Sequence, residues 1–129
     1  MIVVDSSVWV DYFNGRSTPE TDRLDAYLDT ELVAIGDLIL TEVLQGFRDE
    51  RAAMRAEEML TRLVIFDLLG ERRARDAARR YRELRRRGVT IRKTADVVIA
   101  SFCIAENHRL LASDRDFDLF TRELGLMRA

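Results

Sequence analysis

The chain has one cysteine, one histidine and one proline among its 129 residues, and the first two scarcities each remove a class of chemistry. Cys103 has no partner for an internal disulfide, and with His108 it makes two soft ligands, too few for a zinc site of the usual Cys/His kind. Serine or cysteine triads have a single candidate base. No apolar run approaches the ~20 residues that span a bilayer. The N-terminus lacks a basic segment followed by a long apolar stretch, so we expect no export and a soluble, cytoplasmic protein. Acidic chemistry is what remains, with 23 Asp and Glu to draw on.

The length suits one compact domain, residues 1–129, with no linker. Hydrophobic residues make up 47% and charged residues 34%, enough for a core and too apolar for a disordered chain. The net charge of −2 conceals an asymmetry: residues 71–93 hold ten Arg, one Lys and three acids, or +8, against −10 elsewhere. A basic element on an acidic body suggests a polyanion partner, although such a helix also serves simply as a solvated face.

Met1–Val4 reads as a strand ended by Asp5, and Val8, Trp9, Tyr12 and Phe13 then recur at helical spacing as far as Asn14-Gly15. Thr18-Pro19 has the cap and first-turn proline of a second helix, with Leu24, Tyr27 and Leu28 as its apolar stripe. Leu32–Ile35 is a second strand. Asp37 is placed to cap a helix whose Leu40, Val43, Leu44 and Phe47 face inward, with Glu42 off that stripe and Gly46 leaving space beside it. Ala53, Ala56, Leu60 and Leu63 mark a further helix, and Val64–Phe66 a third strand. Ala74, Ala77, Ala78, Tyr81 and Leu84 form the inner face of the arginine-rich helix, which Gly88 ends. Ala95 to Ala105 is nearly all apolar, a helix packed on most sides with Asp96 its one early charge. Arg109–Ala112 is a fourth strand, Ser113–Asp118 an acidic turn, and Leu124–Met127 a candidate fifth strand.

Strands alternating with helices imply an α/β domain whose mainly parallel sheet is covered on both faces. Ligands of such sheets sit at the carboxyl ends of the strands. Asp5 follows the first strand, Asp114 follows the fourth after Ser113, and Glu42 and Asp96 lie early on helices that start near the same edge. Two carboxylates about 4 Å apart repel by roughly 4 kcal/mol at an effective dielectric near 20, so four together call for a cation or protons. Oxygen-only ligation suits Mg²⁺ or Mn²⁺, ions that promote phosphodiester hydrolysis without a histidine.

Each residue also has a plainer reading. Asp5 could be an N-cap, Asp96 a first-turn acid meeting the helix dipole, Glu42 a surface residue, and Asp114 and Asp116 ordinary turn residues. Ser6 either caps the first helix or orients water at the site. Trp9 belongs to the core, Cys103 is an inert buried thiol, and His108 is a favourable cation at a helix C-terminus. Arg79, Arg82 and Arg86 could steer a polyanion, RNA if the resemblance described next holds, with Arg92 and Lys93 better placed for phosphate near the acids.

Four blocks carry a family resemblance: Val4–Phe13, Thr41–Gly46, Thr94–Ala100 and Leu110–Phe117. In this order and at these spacings they resemble the PIN-domain proteins, and more closely the VapC toxins of VapBC toxin-antitoxin pairs, over essentially the whole chain. The resemblance implies a PIN-like three-layer α/β/α sandwich around a mainly parallel sheet of four or five strands. It implies a Mg²⁺- or Mn²⁺-dependent ribonuclease, often cutting tRNA or rRNA to leave a 5′ phosphate and a 3′ hydroxyl. Asp5, Glu42, Asp96 and Asp114 would be catalytic and hold the metal, with Asp116 auxiliary, and a VapB-like antitoxin would silence a homodimeric toxin.

Three other readings stay open. The chain could be a PIN nuclease of RNA processing with no antitoxin, or a protein that holds RNA without cutting it. It could also be a receiver-like domain with Asp67 as its acceptor. Against the last, no acidic pair directly follows the first strand and no lysine follows Lys93.

Overall fold

A computed structural model describes all 129 residues. Four strands, β1 (Ile2–Val4), β2 (Val33–Gly36), β3 (Val64–Phe66) and β4 (Arg109–Leu111), form one all-parallel sheet in the order β3-β2-β1-β4. Two helices fill each crossover: α1 (Ser6–Phe13) and α2 (Pro19–Thr30), then α3 (Asp37–Gln45) and α4 (Glu50–Leu60), then α5 (Glu71–Arg86) and α6 (Thr94–Glu106); α7 (Asp116–Leu124) follows β4. The first two crossovers step one way along the sheet and the third steps back. Right-handed connections therefore put α1–α4 on one face and α5–α7 on the other, giving a three-layer sandwich.

The strands are short, but β1 and β2 are buried throughout, as the inner strands of a doubly covered sheet must be. Trp9, Phe117 and Phe120 are among the fully buried side chains packed over them. α2 begins as its sequence indicates: Thr18 and Thr21 cap each other reciprocally and Pro19 occupies the first turn.

Four expectations need correction, the last of them at Asp37. Residues 124–127 do not form a fifth strand. Gly125 turns the chain with φ 75°, and the tail joins the β4 edge through a single parallel bridge between Leu110 and Arg128. The acidic turn stops at Arg115, because buried Phe117 and Phe120 and half-buried Leu124 share a helical stripe that makes α7 from Asp116 onward. His108 is not a helix-terminal cation. Asn107 takes the left-handed conformation (φ 58°), and His108 lies beyond it, its ring 4.9 Å from the Phe66 ring and 5.8 Å from that of Phe102. Burial, then the nearby N-terminal ammonium, lowers its pKa and keeps the imidazole neutral, so that Nδ1 accepts from the Met1 ammonium at 3.2 Å.

Asp37 ties β2 to the strand beside it. It is the first residue of α3 rather than its cap, and its Oδ1 accepts from the N–H of Leu38 at 2.8 Å and of Leu68 at 3.1 Å. Leu68 is thereby drawn over Gly36, where a Cβ would fall 2.7 Å from its Cδ2 and nearer still to Cγ and Cδ1. Gly36→Ala is expected to destabilise the fold by about 1–3 kcal/mol through overpacking. Adding Leu68→Ala should recover none of that if Gly36 is needed for its backbone and much of it if the clash is the cause. Denaturant melts of the two variants and of Leu68→Ala alone measure the coupling, and we expect recovery.

Candidate metal centre

The sheet order reverses at β1, with β2 on one side and β4 on the other, and it is there, at the carboxyl ends of the strands, that a sheet of this kind has its ligand crevice. The N–H of Asp5 donates to Leu111 O at 2.9 Å, which fixes the end of β1 against the end of β4. Asp5 then caps α1: its Oδ2 accepts from Ser7 Oγ at 2.8 Å and from Ser7 N at 3.4 Å. Asp5 is therefore a helix cap and a crevice residue at once. Ser7 was the donor to look for in the sequence, since it stands two positions after an N-cap aspartate, where capping bonds go.

From β4 the chain passes through Ser113 to Asp114, whose Oδ1 accepts from Asp116 N at 2.9 Å and is thereby aimed. Asp96, in the first turn of α6, comes from the other side. Asp96, Asp114 and Asp116 each offer an oxygen, all within 4.8 Å of one another. Asp5 and Glu42 lie outside that tight trio but are coupled to it by charge: Asp5 acts on Asp96 and on Glu42, and Asp114 acts on Asp5.

The electrostatics follow from burial and like charge. Asp5 and Asp96 are only 5% and 7% exposed. Burial raises the Asp5 carboxyl above its ordinary range, against the pull of its bonds to Ser7. Burial also pushes Asp96 up to about 6, with the charges of Asp5, Asp114 and Asp116 adding and Lys93 opposing. Glu42 is raised by burial and then by Asp5, while the Ser6 hydroxyl and Lys93 pull it down. Ser6 thus sits at Glu42. Oδ2 of Asp96 and Oε1 of Glu42 are buried without a hydrogen-bond partner.

Buried carboxylate oxygens without donors are costly, and a first-turn acid serving only its helix would not leave one facing other acids. The donor set is hard, anionic and all oxygen, which fits a divalent cation of the Mg²⁺ or Mn²⁺ kind.

The basic residues are less concentrated at the crevice. Lys93 reaches it, with Nζ 3.8 Å from Asp114 Oδ2. Arg79 pairs with Asp76 and Arg86 with Glu83, one turn along α5 in each case. Arg80 donates to Ser101 Oγ, and Arg87 is shared between Glu83 and Glu123. Arg82 and Arg92 are left without an acidic partner. Arg92 lies on the rim of an apolar groove between α5 and the start of α6, beside Ile91 and Thr94. Cys103, buried on α6 with its thiol pushed up to about 12, is inert, and Asp67 ends the edge strand β3, not a strand beside the crevice.

The sign of a stability change distinguishes repelling acids from helix caps. An acid raised on folding binds its proton more tightly in the native state, so its contribution is most favourable below pH 3.8 and is lost as pH rises through about 6. A tenfold change in proton affinity corresponds to about 1.4 kcal/mol. Without metal, Asp96→Asn is therefore expected to leave the protein as stable at pH 7.5 or more so, with the advantage shrinking toward pH 4. The difference between variant and wild type cancels the opposing titration of His108. A first-turn acid would instead lose about 0.3–1 kcal/mol on the same change. Thermal melts in chelator across this pH range make the measurement.

Comparison with known proteins agrees with this architecture. The PIN domain family model matches residues 2–123. A VapC ribonuclease of Mycobacterium bovis and ribonuclease VapC11 of Mycobacterium tuberculosis are each 30% identical over 131 residues, covering 100% of this chain and 98% of theirs. Among solved structures, the VapBC2 complex from Rickettsia felis, bound to a promoter DNA fragment, superposes with a TM-score of 0.76 at 23% identity, over 100% of this chain and 98% of that one. VapBC-1 from nontypeable Haemophilus influenzae gives 0.72 at 19% identity, over 100% and 97%. Mycobacterium tuberculosis VapC20, described as a sarcin-ricin loop cleaving toxin, gives 0.66 at 17% identity, over 92% and 93%. By the family match and by its likeness to these ribonucleases over its whole length, the chain belongs to the PIN-domain family and, within it, to the VapC ribonucleases.

Proposed function

We propose that the chain is a Mg²⁺- or Mn²⁺-dependent endoribonuclease, the toxin of a toxin-antitoxin pair, acting in the cytoplasm on structured RNA such as tRNA or rRNA. The observation that carries this reading is the pair of unpartnered buried oxygens, Asp96 Oδ2 and Glu42 Oε1, in a crevice shared with Asp5, Asp114 and Asp116. Asp96 and Asp114 would be the principal metal ligands, with Asp5 and Glu42 completing the acidic wall and Asp116 auxiliary. A bound divalent cation supplies charge neutralisation at the phosphoryl group and a more acidic water.

The chain's own groups have separable tasks. The backbone N–H of Asp116 and the hydroxyl of Ser7 fix the orientations of Asp114 and Asp5, so those carboxylates need little rearrangement on binding. His108 takes no part, since it precedes β4 and so stands at the opposite end of the sheet. Phosphates flanking the cut would meet Lys93 and the unpaired Arg92 first, then Arg82. Arg79 and Arg86 would have to trade Asp76 and Glu83 for phosphate, an exchange that costs little because exposed ion pairs are worth about 0–1 kcal/mol.

The solved relatives include VapBC complexes, which supports a VapB-like antitoxin as the partner here. An antitoxin arginine lying in the crevice would satisfy the orphaned oxygens by charge-assisted hydrogen bonds in the absence of metal. We take the toxin to be a homodimer, as the family resemblance implies.

The test is cleavage of cellular RNA by purified protein with Mn²⁺, with chelator, and with the Asp5→Asn variant. Fragments bearing 5′ phosphates are expected only with the ion, and the variant should be at least about 100-fold slower. Cleavage that persists in chelator, or that leaves 5′ hydroxyls, contradicts the proposal.

A further inference from the structure

One cation reaches the cluster of acids from its edge, and its attachment is unusual. Lys93 immediately precedes α6, and its carbonyl accepts the first bonds of that helix, from Asp96 N at 3.2 Å and Val97 N at 3.4 Å. Its backbone is therefore anchored against the same turn that presents Asp96. Its side chain is 67% exposed and ends 3.8 Å from Asp114 Oδ2, a loose contact rather than a closed hydrogen bond. The ammonium also lowers the pKa of both Asp96 and Glu42, so its field covers the crevice. Yet it leaves Asp96 Oδ2 and Glu42 Oε1 without a donor. Lys93 thus offsets the charge of the cluster without satisfying its geometry. A fixed base with a free, solvated end suits a group that changes partner. Lysine, a point charge on a flexible stem, suits it better than arginine's planar fork.

We propose that Lys93 is a tethered counter-ion that competes with the divalent cation for the carboxylates and, once the ion is bound, transfers its charge to an RNA phosphate beside the scissile bond. This rests on reading the crevice as a metal-dependent nuclease centre. In the free protein the ammonium spares the acids part of their mutual repulsion. An arriving divalent ion meets Asp114 already engaged and a like charge within a few ångströms, which weakens its binding. Displaced from Asp114, the ammonium needs another anion, and the nearest that the substrate brings is phosphate. Metal occupancy and RNA engagement then favour each other, because each removes a cost that the other faces.

The consequence is a pair of effects of opposite sign. Lys93→Gln should bind Mn²⁺ roughly tenfold more tightly in the absence of RNA, because a repulsive neighbour is gone. At saturating Mn²⁺ its single-turnover cleavage should fall by at least about tenfold through the lost phosphate contact. Lys93→Arg keeps the charge and should restore wild-type Mn²⁺ affinity. Arg62→Gln removes the same charge at the far end of α4 and should change neither quantity. Calorimetric Mn²⁺ titration of the three variants and the wild type, with cleavage of one defined RNA, decides the matter. Unchanged or weaker Mn²⁺ binding by Lys93→Gln overturns the counter-ion role. Tighter binding with undiminished cleavage overturns the transfer to phosphate. Mn²⁺ binding by none of the proteins overturns the metal-centre reading itself, and this inference with it.

Discussion

Carboxylates crowded together, two of them almost wholly buried, repel one another, and they do so at the carboxyl edge of this parallel sheet, where the ends of β1 and β4 lie side by side. The register of β1 on β4 and the bond from Asp5 N to Leu111 O hold Asp5 against the end of β4, and the Asp116 N–H orients Asp114 three residues beyond it. α6 is buried on most sides, so Asp96 cannot swing away either. The core therefore holds the acids together, and the carboxyl of Asp96 is raised first by its burial and then by the charges of Asp5 and Asp114. On the proposed reading, a divalent cation bound there would turn the same arrangement from a liability into a binding site, and folding free energy would be converted into metal affinity.

The rest of the molecule can be understood as support for that edge. Ser7 and the Asp116 N–H orient two of the acids while also starting α1 and α7, so helix capping and site geometry are set by the same bonds. α5 packs along α6, and five of its eight arginines meet an acid: Arg75, Arg79 and Arg86 one turn away on the same helix, Arg72 and Arg73 at Glu106 of α6, so that few remain for a polyanion without exchange. The charged helix is better described as a reservoir of exchangeable partners than as a bare positive strip.

Much of this is legible in the sequence because the decisive relations are local. An apolar run followed directly by aspartate is a strand end bearing an acid, and parallel α/β logic places Asp5 and Asp114 at one edge without knowledge of a single distance. The self-pairing of α5 is also open to reading, since Asp76 with Arg79 and Glu83 with Arg86 stand at helical spacing. Relations across the chain are not. The environment of His108 escapes the sequence because its neighbours, Phe66 and the Met1 ammonium, come from distant segments. α7 is obscured by Asp114, Asp116 and Asp118, whose turn-like character hides the apolar spacing of Phe117, Phe120 and Leu124. The place of Lys93 near the acids, just ahead of Asp96, is legible, but its contact with Asp114 is not, because that depends on how α6 meets the end of β4.

The most direct measurement is anomalous diffraction from crystals of the protein soaked in Mn²⁺. The account predicts a Mn²⁺ peak in the crevice with Asp96 and Asp114 as direct oxygen ligands, Asp96 Oδ2 no longer unpartnered, and the Lys93 ammonium moved away from Asp114. Crystals saturated with Mn²⁺ that show the crevice without an ion, its carboxylates protonated or turned toward donors of the chain itself, would contradict it.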